Sequence, residues 1–142
     1  MQDEEAPVAR VLVAEDDSDI RDLFTMILES AGAAVVAVNS GGAALEALRS
    51  QQFDLLVTDM WMPQVSGLDL CKAVRADPAT AGLPILMLSA YGRMGGPAEA
   101  MMAGATEYHT KPIRPGVLVG KADALLGGRL TAPSRDARRA TG

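Results

Sequence analysis

The chain has 142 residues, room for one domain with a single full-sized core. Hydrophobic residues make up 49% and aromatics only 4%, so Leu, Val, Ala, Ile and Met must fill that core. The net charge is −5, and four arginines against one aspartate in residues 129–142 leave the body more acidic still, which argues against a phosphate-backbone binder and suits a cation site.

No apolar stretch approaches the ~20 residues of a membrane span. The acidic start, Met1-Gln2-Asp3-Glu4-Glu5, lacks an apolar signal segment. Cys71 is the single cysteine, so no internal disulfide forms. Both features fit a reducing cytoplasm.

In chain order, residues 11–14 form a short apolar run that ends in Glu15-Asp16 and reads as a strand. Ile20, Leu23, Phe24, Ile27, Leu28 and Ala31 then recur at helical spacing, with Ser18 as the expected N-cap and Gly32 as the stop. Residues 33–38 are a β-branched run. Ser40 opens a helix that buries Ala44, Leu45 and Leu48. Residues 53–58 make a third strand, and residues 67–76 a helix with Leu68, Cys71 and Val74 on one side. Pro84 precedes a fourth strand at residues 85–88. The glycine-rich stretch 91–97 is not helical, which leaves a short fourth helix from Pro97 to about Ala103. Residues 106–110 form a fifth strand and residues 117–126 a closing amphipathic helix. Residues 1–8 are expected to be disordered and acidic, residues 9–127 to be the folded body, and residues 128–142 to be a disordered basic tail.

Five β-α repeats imply a doubly wound α/β fold around a parallel sheet. Continuous apolar strands agree, because such sheets are covered on both faces. Right-handed crossovers put every strand's C-terminal end on one edge, where ligands bind. The polar strand ends then converge there. Glu15-Asp16 follows the first strand, Asp59 ends the third, Ser89 ends the fourth and Lys111 follows the fifth. A carboxylate at the tip of a buried strand is costly unless something there needs it. Clustered carboxylates suggest a hard cation such as Mg²⁺, and a lysine with a hydroxyl suits phosphoryl oxygens.

At these residues the sequence resembles the receiver domain of bacterial two-component response regulators. The carriers are Val11-Leu12-Val13-Ala14-Glu15-Asp16-Asp17, Asp59-Met60-Trp61-Met62-Pro63 with Gly67, Leu88-Ser89-Ala90, Gly104-Ala105-Thr106 and Lys111-Pro112. Together they span roughly residues 9–127. The resemblance implies a flavodoxin-like sheet of strand order 2-1-3-4-5. It makes Asp59 the phosphoacceptor, phosphorylated by a histidine kinase or histidine phosphotransfer protein. Mg²⁺ would be held by Asp16, Asp59 and the Trp61 backbone carbonyl, with Glu15 acting through water. Ser89 and Lys111 would contact the phosphoryl group, and Tyr108 would be the switch aromatic. A cis Lys111-Pro112 bond is also common in that family. Glu15 stands where aspartate is more usual.

Output is expected through a surface of the fourth helix, fifth strand and fifth helix. That surface would serve an unknown downstream protein or a weak dimer, with neither membrane nor nucleic acid as partner. Trp61 and Tyr91 stand two residues after Asp59 and Ser89, where they would obstruct water attacking an acyl phosphate. Three other functions compete with a phosphorylation switch. A phosphatase with an aspartyl nucleophile commonly has a second aspartate where Trp61 stands. A degenerate receiver would act as a constitutive interaction module. The chain could also be the receiver piece of a larger regulator. Simpler readings apply elsewhere: Asp17 and Asp19 as a solvated helix start, Asp54 and Glu107 as surface residues, His109 as structural, Cys71 as core, Met101-Met102 as packing, and the tail arginines as solvated.

Overall fold

Apolar strands that end in charge can share a sheet only if their charged ends leave the core together, and these do. The computed structural model describes residues 7–90 and 96–130. Strands and helices alternate as β1 (Arg10–Ala14), α1 (Ser18–Ser30), β2 (Ala34–Val38), α2 (Gly41–Ser50) and β3 (Leu55–Asp59), then α3 (Gly67–Ala76), β4 (Ile85–Ala90), α4 (Pro97–Ala103), β5 (Glu107–Lys111) and α5 (Pro115–Leu125). All neighbouring strands are parallel, in the order β2-β1-β3-β4-β5. The flavodoxin-like arrangement expected from the motifs is therefore the one observed. The winding direction reverses between β1 and β3, which opens a crevice beyond their C-terminal ends.

Strand alternation divides the core in two. Val11, Val13, Leu55, Val57, Leu86 and Leu88 face Phe24 and Leu28 of α1 and Leu118 and Ala122 of α5. Leu12, Leu56, Ile85 and Met87 face α2, α3 and α4, where Ala44, Leu70, Val74 and Ala100 meet them. Cys71 is buried in this second layer, as its helical spacing suggested.

Side chains at the helix starts set the strand-to-helix turns. Asp17, not Ser18, caps α1: its carboxylate accepts from the Asp19 and Ile20 N–H groups at 2.9 and 3.1 Å. An ionised cap also gains from the helix dipole, which explains the shift of one residue. Ser40 and Ser66 cap α2 and α3 through the Ala43 and Asp69 N–H groups at 3.1 and 3.0 Å. The Lys111–Pro112 bond is cis.

A further expectation fails. Met101 and Met102 are 50% and 87% exposed, so they are not packing residues. α4 has only seven residues, and its inward positions are taken by Ala100 and Ala103. Past α5, residues 129 and 130 pack on the body. Leu130 is buried against the α1–α5 layer, and its N–H donates to Asp123 Oδ1 at 2.9 Å. Arg129 reaches Asp54 at 3.2 Å and the Pro7 carbonyl at 3.1 Å. Asp54 is thus half-buried and paired, and it also accepts from the Arg10 N–H at 2.8 Å. One leucine and one arginine give no periodic signal, yet each finds a partner distant in sequence. Residues 1–6 and 131–142, with the acidic start and three of the four tail arginines, lie outside the described residues.

Leu130→Ala should therefore lower the unfolding free energy by about 2 kcal/mol, the low end for a buried leucine. Urea denaturation checks it: the midpoint should fall with the slope unchanged. An unaltered midpoint would show that the segment after α5 contributes nothing to the core.

Candidate functional site

The sheet's C-terminal edge gathers the polar ends. Glu15 continues β1 and keeps a sheet-like bond, its N–H donating to the Val38 carbonyl at 3.1 Å. Asp59 closes β3 opposite Leu88 of β4. Ser89 sits one residue further along β4, opposite Thr110, and Lys111 lies opposite Ala90. Carboxylate oxygens of Glu15, Asp16 and Asp59 come within 4.8 Å of one another. Asp16 is exposed, whereas Glu15 and Asp59 are 2% and 8% exposed. With Trp61, Met62, Pro63, Ile20 and Lys111 they line an open cleft of about 690 Å³.

Lys111 ties the buried carboxylates together. Its Nζ lies 3.0 Å from Glu15 Oε1 and 3.4 Å from Asp59 Oδ1. The other Glu15 oxygen accepts from the Asp17 N–H at 3.1 Å. Burial pushes the Glu15 carboxyl above its ordinary pKa, and the lysine only partly offsets that. Burial raises Asp59 likewise, against the pull of Lys111 and with a further push from Asp16. Burial alone would lower Lys111, but Glu15 and Asp59 hold its ammonium above the usual range. The site thus has more negative charge than its one ammonium neutralises, which favours an added cation. Three carboxylates on a water-accessible cleft are hard oxygen donors of the kind Mg²⁺ takes.

Ser89 is 1% exposed, and its Oγ is the buried side-chain polar atom without a hydrogen-bond partner among the described residues. An orphaned hydroxyl costs about 1–3 kcal/mol. Its place beside the acid–lysine cluster suits an acceptor arriving from outside. Gly67 lets the β3–α3 loop close over β3. Its N–H donates to the Met60 carbonyl at 2.7 Å, and a Cβ there would lie 2.0 Å from the Asp59 carbonyl oxygen.

The edge therefore unites Glu15, Asp16, Asp59, Lys111 and Ser89, all anticipated from the strand ends. Trp61 lines the same cleft. Tyr108 is half-buried against the α2–α4 layer. Tyr91 lies outside the described residues. Sequence inspection missed Arg21, whose Nη1 donates to the Glu15 carbonyl at 2.9 Å and steadies the turn that presents Asp16. Its position one turn into α1 was the available signal. A larger cleft, about 800 Å³, lies at the opposite sheet edge between the α2–β3 and α3–β4 loops. Its charged residues are already committed, Arg49 to Glu46 and Asp54 to Arg129, so it lacks the convergent free chemistry of the acidic cleft.

A doubly wound parallel sheet with a carboxylate cluster, a lysine and a hydroxyl at its C-terminal edge is the architecture of a receiver-type signalling module. The response regulator receiver domain matches residues 11–123, and the chain belongs to that family. Among relatives, the DNA-binding response regulator MtrA of Mycobacterium tuberculosis is 33% identical over 117 residues, covering 82% of this chain and 50% of the relative. The alkaline phosphatase synthesis transcriptional regulatory protein SphR of Synechococcus elongatus is 36% identical over 130 residues, covering 85% and 50%. The chain thus spans about half the length of the curated relatives it matches. Chemotaxis response regulator CheY4 of Vibrio cholerae superposes with a TM-score of 0.79 at 31% identity, covering 84% of this chain and 100% of the other. The Francisella response regulator 1452 receiver domain gives 0.76 at 28%, covering 84% and 97%. No helix among the described residues is long and apolar enough to cross a membrane.

Because burial raises the Asp59 pKa, its charge strains the metal-free fold. Asp59→Asn should stabilise the metal-free protein by on the order of 1 kcal/mol at neutral pH. The sign over pH follows from the raised value. The native state binds this proton more tightly than the unfolded chain, so protonation relieves the strain as pH falls. The advantage of Asp59→Asn should shrink from pH 7 toward the ordinary carboxylate range. Urea titrations of both proteins with EDTA check this, and a gap that widens on acidification would contradict it.

Proposed function

We propose that the chain is a phosphorylation switch in which Asp59 takes a phosphoryl group from the phosphohistidine of a histidine kinase or phosphotransfer protein. An Asp59 carboxylate oxygen attacks phosphorus, the P–N bond breaks, and the histidine nitrogen leaves with the bonding pair. Bound Mg²⁺ supplies charge neutralisation and orientation. Asp16, Asp59 and the Trp61 main-chain carbonyl would hold it, with Glu15 acting through water. Lys111 and Ser89 receive the transferred oxygens, and Tyr108 follows Ser89 as the switch. The observation that carries this reading is the buried Ser89 hydroxyl, without a hydrogen-bond partner among the described residues, at the strand position between the partners of Asp59 and Lys111, a donor in place before its acceptor arrives. Little covalent chemistry falls to the protein in such transfers; positioning and charge dominate.

A phosphatase reading is weaker. The position two residues after Asp59 holds Trp61, which cannot act as a general acid. Output by protein docking is supported by the exposed Met101 and Met102 on α4. That surface could take a downstream protein or a weak dimer contact. MtrA, named as DNA-binding, is twice the length of this chain's match to it. A receiver acting within a larger regulator is therefore the alternative form of the same switch.

Acetyl phosphate with Mg²⁺ should add one phosphoryl group to the wild type and none to Asp59→Ala, read by intact-protein mass spectrometry. Loss of labelling with EDTA, and its reduction in Lys111→Ala, should accompany it. Labelling that persists in Asp59→Ala would reject the assignment. The lifetime of the phosphoprotein gives a second measurement. Trp61→Ala and Tyr91→Ala should each speed its decay, by up to about ten-fold if each ring costs attacking water on the order of 1 kcal/mol. Decay at the wild-type rate in both variants would remove obstruction as the cause of slow hydrolysis.

A further inference from the structure

α4 is held very differently at its two ends. Its C-terminal end is clamped to the body by one side chain. The Arg75 guanidinium donates to the Gly104 carbonyl at 2.8 Å, the Ala81 carbonyl at 3.0 Å, the Leu83 carbonyl at 2.6 Å and the Thr106 hydroxyl at 3.3 Å. One residue at the end of α3 thereby fastens the α3–β4 loop and the α4–β5 turn together. Gly104 caps α4 with a φ of +109°, and a Cβ there would lie 2.6 Å from Arg75 Cγ. The glycine thus supplies both the left-handed turn and the room for the arginine stem. Thr106 fixes the turn to β4 as well: its hydroxyl accepts from the Ile85 N–H at 3.0 Å, and its own N–H donates to the Ile85 carbonyl at 2.8 Å.

Among the described residues, the hydrogen bonds of the N-terminal end stay within the helix start. The Gly96 N–H donates to Glu99 Oε1 at 2.9 Å, a bond within the helix start. Two alanines, Ala100 and Ala103, make the buried face. Small side chains interlock shallowly, so a rotation of α4 opens little cavity. The chain enters α4 from the end of β4, where Ser89 and Ala90 stand, through a stretch rich in glycine.

We propose that Arg75 is a positioning residue: it makes the Gly104 end of α4 a fixed pivot, so that loading of Asp59 swings the helix's N-terminal half. The proposal rests on the phosphoryl-acceptance reading above. Displacement of Ser89 toward a phosphoryl oxygen pulls on the entry to α4, and a clamped exit converts the pull into rotation. Without the clamp the same pull moves the whole helix and the turn behind it. None of the four acceptors is a carboxylate, so the clamp depends on the planar five-donor fork rather than on charge. Lysine, a compact ammonium with three donors, cannot span acceptors on two separate loops.

The test is hydrogen–deuterium exchange of wild type, Arg75→Lys and Arg75→Gln, each with and without Mg²⁺ and beryllofluoride. In the wild type the mimic should change exchange within residues 97–101 and leave the amides of residues 104–106 protected. In both variants the amides of residues 104–106 should exchange roughly ten-fold faster, as expected for lost hydrogen bonds at a turn. The mimic-induced change should then spread across residues 97–106. Arg75→Lys keeps the charge and carries the comparison if Arg75→Gln does not fold. Variants whose response to the mimic matches the wild type in place and extent overturn the pivot. A wild type that binds the mimic but shows no change in residues 97–101 overturns it as well. A wild type that binds no mimic, seen as no change at residues 15–17 and 59–61, instead rejects the Asp59 reading beneath it.

Discussion

The contact of Lys111 with Glu15 and Asp59 is the constraint on which the rest of the molecule depends. A parallel sheet covered on both faces has no water to solvate a charge, so its charged residues must sit at strand ends. Here β1, β3 and β5 all end in charge on the same edge, and the ammonium that ends β5 bridges the Glu15 carboxylate after β1 and the Asp59 carboxylate of β3. The bridge neutralises less than it gathers. Burial keeps both carboxylates above their usual pKa, and the uncompensated negative charge makes the crevice attractive to a divalent cation. Stability and ligand recognition oppose each other at this edge, as they often do where a fold holds a reactive group in readiness.

Much of this was legible before any coordinates. Apolar runs that end abruptly in Glu15-Asp16, Asp59 and Lys111 define both the strands and the edge. The helical spacing of Leu68, Cys71 and Val74 located α3 with its observed bounds. Pro97, followed by two small buried alanines, marked the short α4. These signals are local: each arises from neighbours within one turn or one strand.

What escaped the sequence is non-local. Arg75 and Gly104 are 29 residues apart, and nothing around either announces the other. Arg129 meets a carbonyl 122 residues away, so the segment after α5 read as unattached tail although its leucine is buried. Met101 and Met102 failed for another reason. Hydrophobic composition was taken as burial, but a helix of seven residues has only about two turns to bury and had alanines for them. Asp17 displaced Ser18 as the cap because a carboxylate can accept from two N–H groups and favour the helix dipole together. The Arg75 and Arg129 misses are cases of a side chain finding backbone at a distance that composition cannot encode, whereas the Asp17 miss is a local choice between neighbouring caps.

The contact between Arg129 and Pro7 also has an architectural consequence. It brings the first and last described stretches of the body side by side at the N-terminal edge of the sheet, behind β1 and β3. Asp59 stands at the far pole, a five-residue strand away, or about 16 Å at 3.3 Å per residue. The two boundaries of the described body, Pro7 and Leu130, therefore share the blunt side of the molecule, and the acceptor crevice occupies the opposite pole by itself.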